Sequence, residues 1–322
     1  MKYAKEAVDH LLGHCGRLTP DEGLLVICDE TTRDLAEFVG QRAREISSRV
    51  EVQEIPPARH HAAALPKAVA ARMNKADLIM ALTRMSLAHC PERLEAARHG
   101  ARFLSMPFYD WDLLEDEALR VDFEAQAPVA RAVTRAFTEG RQVRVTTPAG
   151  TDIRLDITGR RGNCCPGVVK EPGDLGSPPD IEANVSPLES CSEGVVVVDG
   201  SIPCPEIGLL RTPVTLEVRS GRIQRFESQE QAYERILNGM FEKASSKRRV
   251  LAECGVGLNP SARLRGVMLT DEGALGCVHF GFGSNHTVGG ENAVDFHLDF
   301  VFRNARVNVD GRDILKDGEV CL

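Results

Sequence analysis

The chain has 322 residues, of which 43% are hydrophobic, and its formal net charge at pH 7 is -8. This length suits two domains, and a negative charge without any basic block argues against nucleic-acid binding. No apolar run reaches the ~20 residues that cross a bilayer, and the charged N-terminus lacks a signal-peptide pattern, so we expect a cytoplasmic protein.

Strands and helices alternate in the N-terminal part. Apolar runs that end near a polar residue predict buried parallel strands at residues 23–29, 50–55, 77–82 and 101–106. Amphipathic segments between them predict helices, and this alternation is typical of a doubly wound α/β sheet. The segment has neither a G-x-G-x-x-G motif nor a P-loop, so a nucleotide site has no support. We therefore predict an α/β domain over residues 1–138, ending in a linking helix.

The periodicity changes to two after about residue 139. Alternating segments predict strands at residues 142–147, 151–157, 194–199 and 215–219. A helix is predicted over residues 229–244. Residues 139–322 therefore form a predicted β-rich α+β domain that carries the chemistry.

Two histidines and one acid in this second domain form a candidate metal site. His297 and Asp299 lie two residues apart in an apolar run, so on a strand both side chains point to the same face. His279 lies in a similar apolar and glycine-rich setting. Imidazole nitrogen and carboxylate oxygen suit Zn, Mn, Co or Fe(II). Glu189 and Glu253 are further candidates, because a carboxylate in an apolar segment favours a counter-charge.

These segments resemble the thermophilic metallo-aminopeptidase family, which is leucyl aminopeptidase-like and includes aminopeptidases T and S. The similar segments are Thr146 to Asp152 (TTPAGTD), Asn184 to Glu189 (NVSPLE) and His297 to Phe300 (HLDF). The resemblance implies a homodimer in which two divalent metals activate a water molecule for hydrolysis. The metal ligands that it implies are Glu189, Glu253, His279, His297 and Asp299.

The chain also resembles the 2,5-dihydroxypyridine 5,6-dioxygenase family, whose members use Fe(II) to cleave a ring. The similar segments are Gly257 to Ala262 (GLNPSA), Ser284 to Gly290 (SNHTVGG) and His297 to Asp299 (HLD). His89 resembles an active-site histidine of that family. The family has a histidine where this chain has Glu253, and it lacks a histidine at the position of His279.

Five candidate ligands, of which three are carboxylates, favour hydrolysis at a site with one or two metal ions. We therefore predict an aminopeptidase-type metallohydrolase, a metalloprotease in which a metal-activated water cleaves an N-terminal peptide bond or a small amide of a small molecule or short peptide. Glu189 and Glu253 would support catalysis, while His286 and His89 would contact the substrate. Two alternatives stay open: Fe(II)-dependent cleavage of a dihydroxylated heteroaromatic such as 2,5-dihydroxypyridine, and a binding protein without catalytic activity.

Overall fold

The computed structural model describes residues 2–58, 60–242 and 246–322. The chain forms two compact units, and neither is a single continuous segment. The first unit consists of Met1–Glu124 and Cys165–Pro179, and the second consists of Ala125–Cys164 and Asp180–Leu322. The boundary predicted between residues 138 and 139 therefore differs from the structure. The observed linking helix, Phe123–Glu139, lies almost entirely in the second unit, and residues 165–179 return to the first.

The first unit contains a five-stranded parallel sheet. Its strands are β1 (Gly23–Cys28), β2 (Arg49–Glu54), β3 (Leu78–Leu82), β4 (Arg102–Ser105) and β8 (Leu175–Gly176), in the order β2-β1-β3-β4-β8. All neighbouring pairs are parallel. Every residue of β1, β3 and β4 is buried, which explains the nearly continuous apolar sequences of β1 and β3. The segment 165–179 returns because β8 supplies the strand beside β4.

Helices α2 (Arg33–Ala43), α3 (Lys67–Met73) and α4 (Pro91–Arg98) connect the first four parallel strands of this unit. Helix α1 (Ala4–His10), which continues as a π-helical turn over Leu11–Cys15, precedes β1, and α5 (Trp111–Leu114) and a 3₁₀ turn over Glu117–Arg120 follow β4. The fold is thus mixed α/β, while the doubly wound arrangement of helices on both faces stays a prediction. Among the described residues, no helix has the length and apolarity of a membrane span.

The second unit begins with most of helix α6 (Phe123–Glu139) and contains an eight-stranded antiparallel sheet. In the order β14-β13-β10-β6-β5-β18-β19-β20, its strands are Arg222–Ser228, Val214–Arg219, Glu193–Val198, Asp152–Asp156, Gln142–Thr146, Arg306–Val309, Arg312–Lys316 and Glu319–Val320. Buried and exposed residues alternate along β5 and β6, as the period of two predicted.

A second, seven-stranded sheet carries the candidate site. In the order β12-β11-β17-β16-β15-β9-β7, its strands are Gly208–Leu209, Ser201–Ile202, His297–Phe302, Val278–Gly283, Leu251–Gly257, Glu182–Val185 and Asn163–Cys165. Helices α7 (Gln231–Glu242) and α8 (Met268–Gly273) and a 3₁₀ turn (Ser246–Arg249) complete the unit. The end of the predicted helix, residues 243–244, lies outside the described residues.

One face of this sheet belongs to the hydrophobic core. Phe300 is fully buried, and its ring contacts those of Phe226, Phe241 and Phe282 at centroid distances of 6.3, 6.1 and 5.4 Å. Because side chains alternate along a strand, the residues between these aromatic positions point to the opposite face. The core therefore fixes the strands whose other face bears the polar residues described next.

Candidate metal centre

Four neighbouring antiparallel strands, β9, β15, β16 and β17, place acids and imidazoles on one face of the sheet. In the register of these strands, Gly255 lies opposite His279, and Gly281 lies opposite both Glu253 and Asp299. Glu182 of β9 lies opposite Gly257. Residues directly opposite one another share a face, so positions far apart in the chain converge.

The side chains that converge form a group that we call the acid–imidazole cluster. His279 Nε2 lies 3.2 Å from Glu182 Oε2 and 3.9 Å from Glu253 Oε1. His297 Nε2 lies 3.5 Å from Glu253 Oε2 and 3.2 Å from Asp299 Oδ1. One donor atom each from Glu182, Glu253 and His279 lies within 4.8 Å of the others. The cluster comprises Glu182, Glu253, His279, His297 and Asp299.

Two glycines leave the space that the imidazole rings fill. A Cβ atom at Gly255 would lie 2.1 Å from both Cε1 and Nε2 of His279. A Cβ atom at Gly281 would lie 2.4 Å from His297 Nε2 and 3.0 Å from Asp299 Oδ1. Any larger residue at either position would displace a ring, so these glycines are part of the site.

The charges of the cluster shift the protonation of its members. Burial lowers the pKa of His279, but the nearby Glu182, Glu253 and Asp299 carboxylates outweigh it and raise the pKa well above its usual value. Burial also lowers the pKa of His297, but Asp299 and Glu253 outweigh burial and raise this pKa to about 9. Burial raises the pKa of Glu253. Burial also disfavours the Asp299 carboxylate, yet His297 holds the pKa of Asp299 well below normal.

A divalent metal ion fits this donor set. Within the part of the chain that the structure describes, Glu182 Oε2 and His279 Nδ1 are buried atoms without a hydrogen-bond partner. Three carboxylates and two imidazoles offer the anionic oxygen and nitrogen donors that such ions prefer, and a cation would offset the buried negative charge. The predicted divalent metal cofactor is therefore confirmed by the character of the site.

Two further acids lie near the cluster. Asp180 is buried, and both burial and the negative charge of Glu182 raise its pKa well above normal. Burial and the charge of Asp299 do the same to the pKa of Glu272. Sequence reasoning missed these acids and also Glu182. A signal for Glu182 existed, because the segment Glu182 to Val185 alternates polar and apolar residues, as a strand with one polar face does.

The structure places Glu253, His279, His297 and Asp299 together, as predicted, but gives Glu189 different partners. Glu189 Oε2 accepts a hydrogen bond of 2.5 Å from Arg160, and Oε1 accepts bonds from the Asn285 side chain and the Glu291 backbone. The assignment of Glu189 as a metal ligand therefore does not fit, because both of its oxygens are engaged by these donors. Glu182 takes the second carboxylate position of the cluster instead.

The two predicted substrate-binding histidines lie in different units. His286 is exposed on the loop after β16, and its Nδ1 lies 2.8 Å from Ser284 Oγ. His89 belongs to the first unit and precedes helix α4. Their contact with substrate stays a prediction.

Comparisons with known proteins identify the family. Residues 7–322 match the family model described as NicX, 2,5-dihydroxypyridine 5,6-dioxygenase. The 2,5-dihydroxypyridine 5,6-dioxygenase of Pseudomonas putida KT2440 is 24% identical over 304 residues, which cover 87% of this chain and 85% of that protein.

Two solved structures share the fold. The structure of 2,5-dihydroxypyridine dioxygenase from Pseudomonas putida KT2440 has a TM-score of 0.85 and 21% identity, and the match covers 99% of this chain and 96% of that one. Wild-type AmpT from Thermus thermophilus has a TM-score of 0.69 and 14% identity, with coverage of 100% and 99%. At these identities the two likenesses describe the fold alone.

The predicted aminopeptidase-type hydrolase is wrong, and so are its descriptions as a metalloprotease and a peptide-bond hydrolase. The resemblance to aminopeptidase T reflects the shared fold, whereas the family model spans nearly the whole chain and agrees with the curated relative. The alternative that the sequence analysis kept open is the one that these findings support. The chain belongs to the 2,5-dihydroxypyridine 5,6-dioxygenase family.

Proposed function

We propose that this protein is an Fe(II)-dependent dioxygenase that opens the ring of a small dihydroxylated heteroaromatic compound. The observation that carries the proposal is the buried acid–imidazole cluster in a chain of this family. The substrate named for the family, 2,5-dihydroxypyridine, is the first compound to test. In such a site Fe(II) supplies redox chemistry with O₂ and a positive charge that attracts an ionised ring hydroxyl.

Hydrogen bonds behind the cluster orient its donor atoms. His297 Nδ1 lies 2.9 Å from the Ser284 carbonyl, so with a metal bound Nδ1 would keep its proton and Nε2 would present its lone pair to the ion. Asn184 Nδ2 donates to Glu182 Oε1 at 2.7 Å and leaves Glu182 Oε2 for the metal. These contacts support Glu182, Glu253, His279, His297 and Asp299 as the residues that hold the metal.

His286 is the proposed substrate contact on this unit. The hydrogen bond with Ser284 Oγ occupies Nδ1 of His286. Nε2 of the exposed imidazole is then the atom that can accept a proton from a hydroxyl group of the substrate. Replacing this ring should weaken turnover without removing the metal, because His286 is outside the cluster.

Oxygen uptake tests the proposed function directly. Protein loaded anaerobically with Fe(II) should consume one O₂ per ring opened when 2,5-dihydroxypyridine is added, with loss of the ring absorbance. Asp299→Asn should abolish uptake, because it removes an anionic donor, whereas Asp112→Asn at an exposed position of α5 should not change it. Iron-replete wild-type protein that opens none of a panel of dihydroxylated pyridines and benzenes would exclude the proposal.

A further inference from the structure

The loop of residues 284–292, which carries His286, is connected to the acid–imidazole cluster by hydrogen bonds at two points, once directly and once through Asn163 and Asn184. At one point, the Ser284 carbonyl lies 2.9 Å from His297 Nδ1. At the other point, Asn163 Nδ2 donates to the Val288 carbonyl at 3.0 Å and to Asn184 Oδ1 at 2.8 Å. Since Asn184 in turn donates to Glu182, the loop contacts the supports of two proposed metal ligands.

Glu189 and Arg160 hold the same loop from a different side. Glu189 Oε1 accepts from Asn285 Nδ2 at 2.9 Å and from the Glu291 N–H at 2.7 Å. Arg160 donates to Glu189 Oε2 and to the Gly289 carbonyl. The two side chains are only 22% and 11% exposed, so solvent screens this pair less than a surface pair.

Bonds within the loop make it a single unit. Asn285 Oδ1 accepts from the Asn292 N–H at 2.7 Å, and Asn292 Nδ2 donates to the Gly283 carbonyl at 2.6 Å. Gly290 packs so closely that a Cβ atom there would lie 2.0 Å from Asn285 Cγ. A displacement at Asn285 or Gly289 is therefore transmitted to Ser284 and Val288.

We propose that Glu189 and Arg160 are positioning residues that clamp the 284–292 loop and thereby keep His297 and Glu182 oriented for the metal. Glu189, the last residue of the motif Asn184 to Glu189, would thus affect the metal through the loop and not as a member of the cluster. The inference rests on the proposed function, since it requires that the cluster bind a divalent metal. In this proposal, Glu189 and Arg160 set the affinity of the metal site and the position of His286.

The test combines hydrogen–deuterium exchange with metal binding, using Co(II) as the probe because its absorption bands report coordination. Glu189→Ala should speed exchange of the loop amides in the metal-free protein. It should also weaken Co(II) binding by about tenfold or more, as loss of supporting contacts commonly does. Arg160→Ala should do the same. Exposed Glu139→Ala and Arg135→Ala on α6 are the matched controls and should change neither quantity.

Combined variants separate the clamp from other roles. Glu189 and Arg160 are bonded to each other and to the same loop, so their effects should be non-additive, and the double variant should lose less Co(II) affinity than the two single losses combined. Glu189→Gln keeps an oxygen for Asn285 and the Glu291 N–H and should restore much of the loop protection. If an alanine variant fails to fold, Glu189→Gln and Arg160→Lys decide the question by the same two measurements.

Two results would overturn the proposal. Loop amides that exchange at the wild-type rate in Glu189→Ala would show that Glu189 does not hold the loop. Loss of Co(II) binding in Glu189→Gln, with normal binding in Arg160→Ala, would show direct ligation by Glu189. Neither readout depends on turnover, so an enzyme inactive toward every aromatic tested would refute the proposed function and leave this result standing.

Discussion

Substitution of Gly255 by alanine should remove the metal site while leaving the fold intact. The new Cβ atom would lie 2.1 Å from His279 Nε2, whereas ordinary contact begins at 3.4 Å, so the ring has to retreat by roughly 1.3 Å. Metal–ligand distances tolerate only about 0.2 Å. His279 therefore can no longer coordinate the same ion as its neighbours.

The cost to stability follows from the same clash. Overpacking a well-packed interior costs about 1–3 kcal/mol. For a unit of this size each kcal/mol lowers Tm by about 2–4 °C, so the metal-free variant should melt about 2–12 °C below wild type. Thermal unfolding of the metal-free protein and a Co(II) titration measure the two effects separately.

Gly239→Ala is the control for this experiment. Nothing lies within 4 Å of a Cβ atom at Gly239, which is within helix α7 of the same unit. Alanine favours a helix over glycine by up to about 1 kcal/mol, so Tm should stay constant or rise and Co(II) should bind normally. If Gly255→Ala binds Co(II) with wild-type affinity and melts at the wild-type temperature, the argument that His279 fills the space above Gly255 is refuted.

Three further outcomes are expected. Phe300→Ala should destabilise the protein by about 3–5 kcal/mol in urea unfolding, because it empties a fully buried aromatic position; a loss below 1 kcal/mol would contradict this. Hydrogen bonds from Arg17 and Lys170 lower the pKa of Glu124 to about 2, so their stabilisation is present above the usual value of 4.5 and is lost as the pH falls. Glu124→Gln should therefore flatten the decline of the urea midpoint between about pH 5 and pH 3, and an unchanged slope would count against it. Loading with Co(II) at 100 times its Kd should add about 2.7 kcal/mol and raise Tm by about 5–11 °C, and His297→Ala should eliminate that rise.

Local sequence patterns predicted the strands well, but they could not predict which distant segments pair. The apolar runs of β1 and β3 and the alternation of β5 and β6 depend on neighbouring residues alone. The short strand β8 has only two residues and depends on its partner β4 for its place. No periodicity can show such a segment, and for this reason the predicted boundary missed it.

The site was predictable where one strand supplied two donors. His297 and Asp299 share a strand face, and the acid and histidine in apolar runs, Glu253 and His279, indicated burial. The choice between Glu182 and Glu189 required the fold, because Glu182 lies two residues before the motif that Glu189 ends and only the register of β9 places Glu182 on the site face.

The predicted reaction was wrong because a set of metal ligands does not determine which reaction the metal supports. Five donors with three carboxylates favoured hydrolysis in the sequence analysis, yet related folds support both chemistries. The match over residues 7–322 integrates many weak similarities that individual motifs do not. The predicted homodimer is not tested by a single chain and stays a prediction.

The return of residues 165–179 to the first unit limits how this protein can be divided for study. A fragment ended at residue 138 would lack β8, and the Phe103 N–H would lose its acceptor, the Asp174 carbonyl. Strand β4 would become an exposed edge strand that can pair with the same strand of another fragment. A fragment of the first unit must therefore include residues 165–179, joined to it by a designed linker.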